Sequence, residues 1–168
     1  MIKRRNFLLY STLLGISFSQ HSKALSRFEK SFKEVESTLL AVQNHLFPKG
    51  SNFPSAQEMK SIEFLLHTMS HKSYDKDIRI FVIEGAEELF SRTKGRFIKM
   101  SDAQKERALR KYEETDYGSN WLSRIMTLTL EGMLSDSLYG SNIHESSWKI
   151  LHSYGGYPRP KARYLDDV

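Results

Sequence analysis

The sequence predicts an all-α fold: a small bundle of about five helices, preceded by a cleavable leader and followed by an irregular C-terminal tail. Three observations predict it. Apolar residues recur every three or four positions through most of the chain, which is the period of an α-helix. No run of four to eight residues alternates strictly between apolar and polar side chains, as a half-buried strand would. Short loops rich in Pro, Gly, Ser and Asn separate the helical stretches.

Residues 1–24 have the pattern of an export leader. A short basic start precedes a mostly apolar stretch from Phe7 to Phe18, and Ser22-Lys23-Ala24 supplies the small residues that a signal peptidase reads, with cleavage expected after Ala24. A helix over the apolar stretch would span about 18 Å, which is short of a bilayer core of about 30 Å. A buried amphipathic first helix is the alternative, but the apolar stretch begins without a polar face.

The basic start resembles a twin-arginine export signal. Arg4 and Arg5 are followed, after Asn6, by Phe7 and Leu8. That pathway moves proteins that are already folded, often with a cofactor in place. The resemblance therefore predicts delivery to the periplasm by the twin-arginine translocation machinery, with this chain docked to another protein. An ordinary secretion signal that happens to contain Arg-Arg is the alternative.

The net charge of the mature chain argues against nucleic acid as a partner. The whole chain has 25 basic and 20 acidic residues, a net charge of +5, but residues 1–24 carry four of the basic residues and no acid. Subtraction leaves 21 basic against 20 acidic residues, a net charge of about +1. A nearly neutral body without a dense Lys/Arg stripe exerts little pull on a polyanion.

The sequence lacks the motifs of the common cofactor sites. It has no cysteine, which excludes disulfides, thiolate metal sites and covalent haem attachment in this chain. It has no Gly-x-Gly-x-x-Gly run for a dinucleotide, no Walker loop and no Gly-x-Ser-x-Gly elbow. We therefore expect no cofactor, no metal and no catalytic residue in this chain.

The first helix of the mature chain is predicted over residues 27–47. One apolar stripe at alternating spacings of four and three residues marks its buried face: Phe28, Phe32, Val35, Leu39, Val42 and Leu46. The segment from Pro48 to Asn52 ends it.

Two more helices follow, each with a sequence signal at its start. Ser55 with Glu58 three residues later forms a capping box, and we expect the helix behind it to carry the apolar residues Met59, Ile62, Leu65, Leu66 and Met69. Asp75 is placed to cap the third helix, which should stop before Gly95.

The last two helices of the bundle differ in polarity. Ser101 with Gln104 is a second capping box, and it opens a polar helix from Asp102 to Thr115. Residues 119–134 form a more apolar helix, with Trp121 near its start. Beyond it, residues 134–168 are rich in Gly, Ser, Tyr, Pro and Asn, with one short helix near Ile143–His152, so this tail must lie on the bundle, lie on a partner or be partly loose.

Histidines offer the alternative of an independent metalloprotein or enzyme. His67 and His71 are four residues apart on a predicted helix and therefore share a face, and His45 is a further candidate ligand. The Glu of a zincin motif is missing after the first histidine, where Thr68 stands. Two polar-face histidines near a helix end are the simpler interpretation.

The tail has the composition of a docking surface. Its tyrosines and Trp148 provide large amphipathic areas with few rotamers to immobilise, as at many protein interfaces. Its glycines allow tight turns, its prolines stiffen the chain, and Asn142 can hold a loop through side-chain hydrogen bonds. The predicted docking residues are Tyr139, Gly140, Asn142, Trp148, Gly156, Tyr157 and Pro158. The alternative is that the same residues only clasp the tail onto its own bundle.

The tail also resembles the signature of the gluconate 2-dehydrogenase subunit 3 family. That signature has a Leu-rich helix, Glu-Gly, a Ser-Asp-Pro-x-Tyr-Gly-Gly-Asn loop, Trp-Lys and a Gly-Tyr-Pro-Gly-Pro ending. This chain has Glu131-Gly132, Ser135 to Asn142, Trp148-Lys149 and Gly155 to Pro158 in the same order. It departs from the signature with Ser137 in place of Pro and Ser141 in place of Gly. We expect strain at Ser141 or a slightly different loop if that glycine has a positive φ.

The resemblance implies a role as well as a fold. In the family, a large subunit oxidises gluconate or a related sugar or sugar acid at FAD, and a subunit with haem c passes electrons to the quinone pool. The small subunit supplies the export signal and is needed for a functional large subunit. By this resemblance the partners are the FAD-containing large subunit and the c-type cytochrome subunit, and the complex is associated with the inner membrane on its periplasmic side.

Overall fold

The computed structural model describes residues 26–163, and within that range the chain is all-α. It contains six α-helices, three short 3-10 turns and no strand, which confirms the predicted fold class. The helices are α1 Arg27–Leu46, α2 Ser61–Ser70, α3 Lys76–Arg92, α4 Asp102–Glu113, α5 Asp116–Leu134 and α6 Ser146–Ile150. The leader residues Arg4, Arg5, Phe7, Leu8 and Ala24 lie outside the described residues.

Helices α1 and α5 form the centre of the bundle, since each packs against α2, α3 and α4 as well as against the other. The predicted stripe on α1 faces this core, where Phe32, Leu39 and Val42 are fully buried. Across the residues that the structure describes, no helix combines the length and the apolar character needed to cross a bilayer.

A glycine allows α3 and α5 to approach closely. The indole of Trp121 lies against Gly85, and a β-carbon at Gly85 would overlap the indole ring. The indole N–H donates to the Val82 carbonyl at 3.2 Å, and the hydroxyl of Tyr112 donates to the Gly85 carbonyl at 3.2 Å. Burial is the main cause that raises the pKa of the Tyr112 phenol, and the Glu88 carboxylate adds to it.

The predicted helix caps form, but the cap at Ser55 does not begin the helix that was predicted to follow it. Ser55 and Glu58 make the reciprocal hydrogen bonds of a capping box, and the bonds from Ser55 lower the pKa of Glu58. They close a single turn, because Lys60 has a left-handed backbone (φ 53°) and α2 begins only at Ser61. The prediction that Met59 belongs to this helix was therefore wrong; Met59 packs instead against Met133 of α5.

The remaining boundaries agree with the predictions to within a few residues. The Asp75 carboxylate accepts from the amides of Asp77 and Ile78, and Gly95 (φ 70°) follows the end of α3. The Ser101 capping box opens α4 as predicted. Helix α5 begins earlier than expected, at Asp116, because the Thr115 hydroxyl accepts from the Gly118 amide and caps it.

Candidate partner-docking site

The tail is held at the C-terminal end of α5. The last carbonyls of a helix have no partner inside the helix and need donors from elsewhere. The indole N–H of Trp148 donates to the Leu134 carbonyl at 2.8 Å, and the amide of Asn142 donates to the Ser135 carbonyl at 2.9 Å. Two predicted docking residues thus fix the tail to the bundle.

Asn142 joins three segments of the chain. Its backbone N–H donates to the Met59 carbonyl at 3.2 Å, and its side-chain oxygen accepts from the Ser147 amide at 3.1 Å. It is fully buried and has a left-handed backbone (φ 46°), which asparagine tolerates better than most residues. Asparagine therefore fits this position in two ways: its buried polar groups are hydrogen-bonded, and it tolerates the left-handed backbone.

The loop before Asn142 shows no strain at Ser141. The left-handed residues are Gly140 (φ 84°) and Asn142, whereas Ser141 has no positive φ. Ser141 is fully buried, and its hydroxyl lies 2.6 Å from that of Ser135. Ser141 is therefore unstrained in this chain, because the strain was expected only with a positive φ at this position and the left-handed residues are its two neighbours.

Arg159 closes the tail back onto the bundle. Its guanidinium donates to the Asp136 carboxylate at 3.0 and 3.1 Å and to the Glu145 carboxylate at 2.7 Å. The guanidinium carbon also lies 4.7 Å from the centre of the Trp148 ring. Asp136 is itself fixed, because its other oxygen accepts from the Leu138 amide. We call Trp148, Asp136, Glu145 and Arg159 the tail clasp.

The chain between Trp148 and Arg159 presents an exposed apolar surface. Gly155 passes so close to the Trp148 ring that a β-carbon there would overlap the indole. Around this crossing, four large side chains are exposed over 46% to 86% of their surface: Ile150, Leu151, Tyr154 and Tyr157. The rings of Tyr154 and Tyr157 lie 5.9 Å apart. We call these four residues the tail patch.

The predicted docking residues therefore divide by position. Asn142 and Trp148 are buried and support the tail, and Tyr139 packs edge-on against Phe64 of α2 at 6.5 Å. Gly140 and Gly156 (φ 80°) are left-handed turn residues. Tyr157 and Pro158 are exposed. One group of these residues thus holds the tail on its own bundle, and another group is exposed to solvent on the outside of the tail. Docking of a partner there stays a prediction.

Sequence reasoning missed the charged members of the clasp. Arg159 is 23 residues from Asp136 and 14 from Glu145, so no local spacing connects them. Ile150 and Leu151 were missed as well, because a short helix with two adjacent apolar residues does not show which face is covered.

The three histidines of the alternative hypothesis do not gather into one site. His45 on α1 pairs with Glu106 on α4 at 2.7 Å, and this hydrogen bond is the main cause that lowers the pKa of Glu106. His71 follows the end of α2, where its ring approaches the Ser73 hydroxyl at 2.7 Å and its carbonyl accepts from Arg79. His67 lies one turn earlier on α2. Among residues 26–163 no group of three or more His, Cys, Asp or Glu side chains is placed to hold a metal ion.

Comparison with known proteins identifies the family. A search of curated proteins and a search of solved structures found no match to this chain. The family model described as gluconate 2-dehydrogenase subunit 3 matches residues 33–156, which include the core helices, the loop at Asn142 and most of the tail patch. The match covers well over half of the 168 residues. The chain therefore belongs to the gluconate 2-dehydrogenase subunit 3 family.

Proposed function

We propose that this chain is a non-catalytic small subunit of a periplasmic, membrane-associated dehydrogenase complex of the gluconate 2-dehydrogenase type. In this proposal it supports the export, maturation and stability of an FAD-containing large subunit, which oxidises the sugar acid. A c-type cytochrome subunit accepts the electrons. Family membership supports a place in such a complex. The twin-arginine pattern at Arg4 and Arg5 supports export of the folded assembly.

The observation that carries the proposal is the construction of the tail. A loose tail would lose conformational entropy on binding a partner, and that loss would weaken the complex. Here the clasp and the hydrogen bonds of Asn142 already hold the backbone on both sides of the tail patch. Tyr154 and Tyr157 are 70% and 86% exposed. Tyrosine is among the residues most enriched at the centres of protein interfaces. A braced segment with exposed tyrosines is suited to contact another protein.

Co-expression with the flavoprotein subunit from the same host tests the proposal. The full-length chain should yield an exported complex that co-purifies with flavin and oxidises the sugar acid. The double variant Tyr154→Ser/Tyr157→Ser should weaken the complex about tenfold or more, because removing an interface anchor commonly costs over 1 kcal/mol.

A matched control removes exposed apolar side chains elsewhere. Ile98 and Met126 are 42% and 44% exposed and lie outside the tail, so Ile98→Ser/Met126→Ser should leave assembly near the wild-type level. The proposal fails if the wild-type chain neither binds the flavoprotein nor changes its export. It also fails if the purified chain alone binds flavin and turns over the sugar acid.

A further inference from the structure

A second surface lies at the other end of α2 from the tail. It is a groove of about 740 Å³ between the first turns of α1 and α3 and the loop that follows α2. Its apolar lining comes from Phe28, Ile80 and Ile83, and Ile80 is 53% exposed. Helix α2 separates the two surfaces, because its first residue, Ser61, lies near Gly132 below the tail and its last, Ser70, lines the groove.

Positive charge surrounds this groove. Its charged lining residues are Arg27, Lys72, Lys76 and Arg79 against a single carboxylate, Glu84. The carboxylates of Glu29 and Asp75, at the starts of α1 and α3, accept hydrogen bonds from backbone amides of Ser26, Asp77 and Ile78. Since the mature chain is nearly neutral as a whole, the groove is a local concentration of cations.

The four cations that line the groove differ in their exposure and in their contacts. Arg27, Lys72 and Lys76 are exposed and make no ion pair with another residue in the range 26–163. Arg79 is held in place, because its guanidinium donates to the His71 carbonyl and lies 5.5 Å from the centre of the Phe28 ring. One fixed cation on an aromatic floor and three exposed cations at the rim favour a ligand with both apolar and anionic groups.

We propose that this groove binds an acidic protein segment that carries apolar side chains, such as Leu, Phe or Tyr flanked by Asp or Glu. The apolar side chains would cover Ile80 and Phe28, and the carboxylates would pair with Lys72, Lys76 and Arg27. A simple anion would leave the apolar floor uncovered. A flat membrane surface would reach Ile80 but not Ile83, which is recessed and only 8% exposed. The inference does not depend on the identity of the partner at the tail patch.

Binding of the full-length protein to a fluorescently labelled Glu/Tyr copolymer, followed by anisotropy, tests this inference. Labelled polyglutamate serves as the probe without apolar groups. The copolymer should bind at least about tenfold more tightly than polyglutamate, and added salt should weaken both. Ile80→Ser should lower the affinity for the copolymer and leave that for polyglutamate within about twofold.

Charge reversal locates the site. Lys72→Glu/Lys76→Glu should weaken copolymer binding at least about tenfold. Lys99→Glu/Lys111→Glu makes the same change in net charge at exposed positions outside the groove and should weaken it less than about threefold. Equal losses in the two double variants would overturn the inference.

Other occupants give different results, and each would overturn the inference. If the groove docked on a membrane surface, the protein would bind vesicles of phosphatidylglycerol and would not bind the copolymer. A second copy of the chain would give a dimer in sedimentation that Lys72→Glu/Lys76→Glu abolishes, without copolymer binding. Copolymer and polyglutamate of equal affinity would indicate charge attraction alone.

Discussion

The guanidinium of Arg159 covers the face of Trp148, with its central carbon 4.7 Å from the ring centre, while its nitrogens bind Asp136 and Glu145. The Arg159 side chain thus connects its part of the tail to Trp148 on α6, to Asp136 in the loop after α5 and to Glu145 in the turn before α6. The indole beneath it is bound to the last carbonyl of α5. The position of the tail patch depends on these contacts.

Replacing Arg159 should loosen the tail without unfolding the bundle. Arg159→Ala removes a cation–π contact and two partly exposed ion pairs, which hold the tail but add little to the stability of the bundle itself. Trp148 should then become more accessible to acrylamide in fluorescence quenching. Trp121, the only other tryptophan in the sequence, is fully buried and should stay protected.

Arg110→Ala is the control for this change. Arg110 also makes two ion pairs, with Glu106 and Glu113, but it lies on α4 away from the tail. Quenching of Trp148 should stay at the wild-type level in this variant. If both variants changed quenching equally, the contact with Arg159 would not be what holds the tail.

A side chain at Gly85 should force α3 and α5 apart. In Gly85→Ala the new methyl group would overlap the indole of Trp121, which is fully buried and bound to Val82. Because the rigid ring has no room to move, we expect a loss of at least about 2 kcal/mol in the free energy of unfolding by urea. Glu87→Ala on the exposed face of the same helix should change it by less than about 0.5 kcal/mol. A Gly85→Ala protein as stable as the wild type would show that the two helices can separate freely.

Asn142 should be difficult to replace even by a residue that accepts its backbone angle. Asn142→Gly keeps the left-handed conformation but leaves the Ser147 amide and the Ser135 carbonyl without their partner. We expect a loss of about 1–3 kcal/mol and faster hydrogen exchange at the Ser147 amide. Asn120→Ala, at an exposed asparagine of α5, should leave the free energy of unfolding and the exchange rate of the Ser147 amide unchanged within error. Unchanged exchange at Ser147 in Asn142→Gly would contradict the assigned hydrogen bond.

Stability should fall in alkaline solution, in part through Tyr112. Burial and Glu88 raise the pKa of this phenol in the folded protein above its value in the unfolded chain. The unfolded chain therefore loses the proton first, and the stabilising contribution, complete below about pH 10, decreases as the pH rises further. Urea unfolding at a series of pH values between about 9 and 11 should show a smaller decrease for Tyr112→Phe than for the wild type. Identical slopes would mean that this phenol does not contribute.

The helices could be predicted because their signals are local. The stripe from Phe28 to Leu46 faces the core along the whole of α1, and Asp75 and Ser101 cap the helices that their sequences indicated. The failure at Met59 has an equally local cause that the sequence does not reveal. A capping box stabilises one turn whether or not the helix continues, and the left-handed Lys60 ends this turn in favour of contacts with Met133.

By itself, the sequence determined that the chain is helical, where most helices begin, which face of the first helix lines the core and that the tail carries the signature of the gluconate 2-dehydrogenase subunit 3 family. Periodicity, caps and signature residues are properties of neighbouring positions, so they can be recognised in one dimension. Only the tertiary structure decided that Trp148 and Asn142 face inward while Tyr154 and Tyr157 face outward, and that Arg159 reaches Asp136. It also brought the cations of α1, α3 and the loop after α2 around one groove. These arrangements join residues far apart in the chain, and packing around α5 and α1 fixes them.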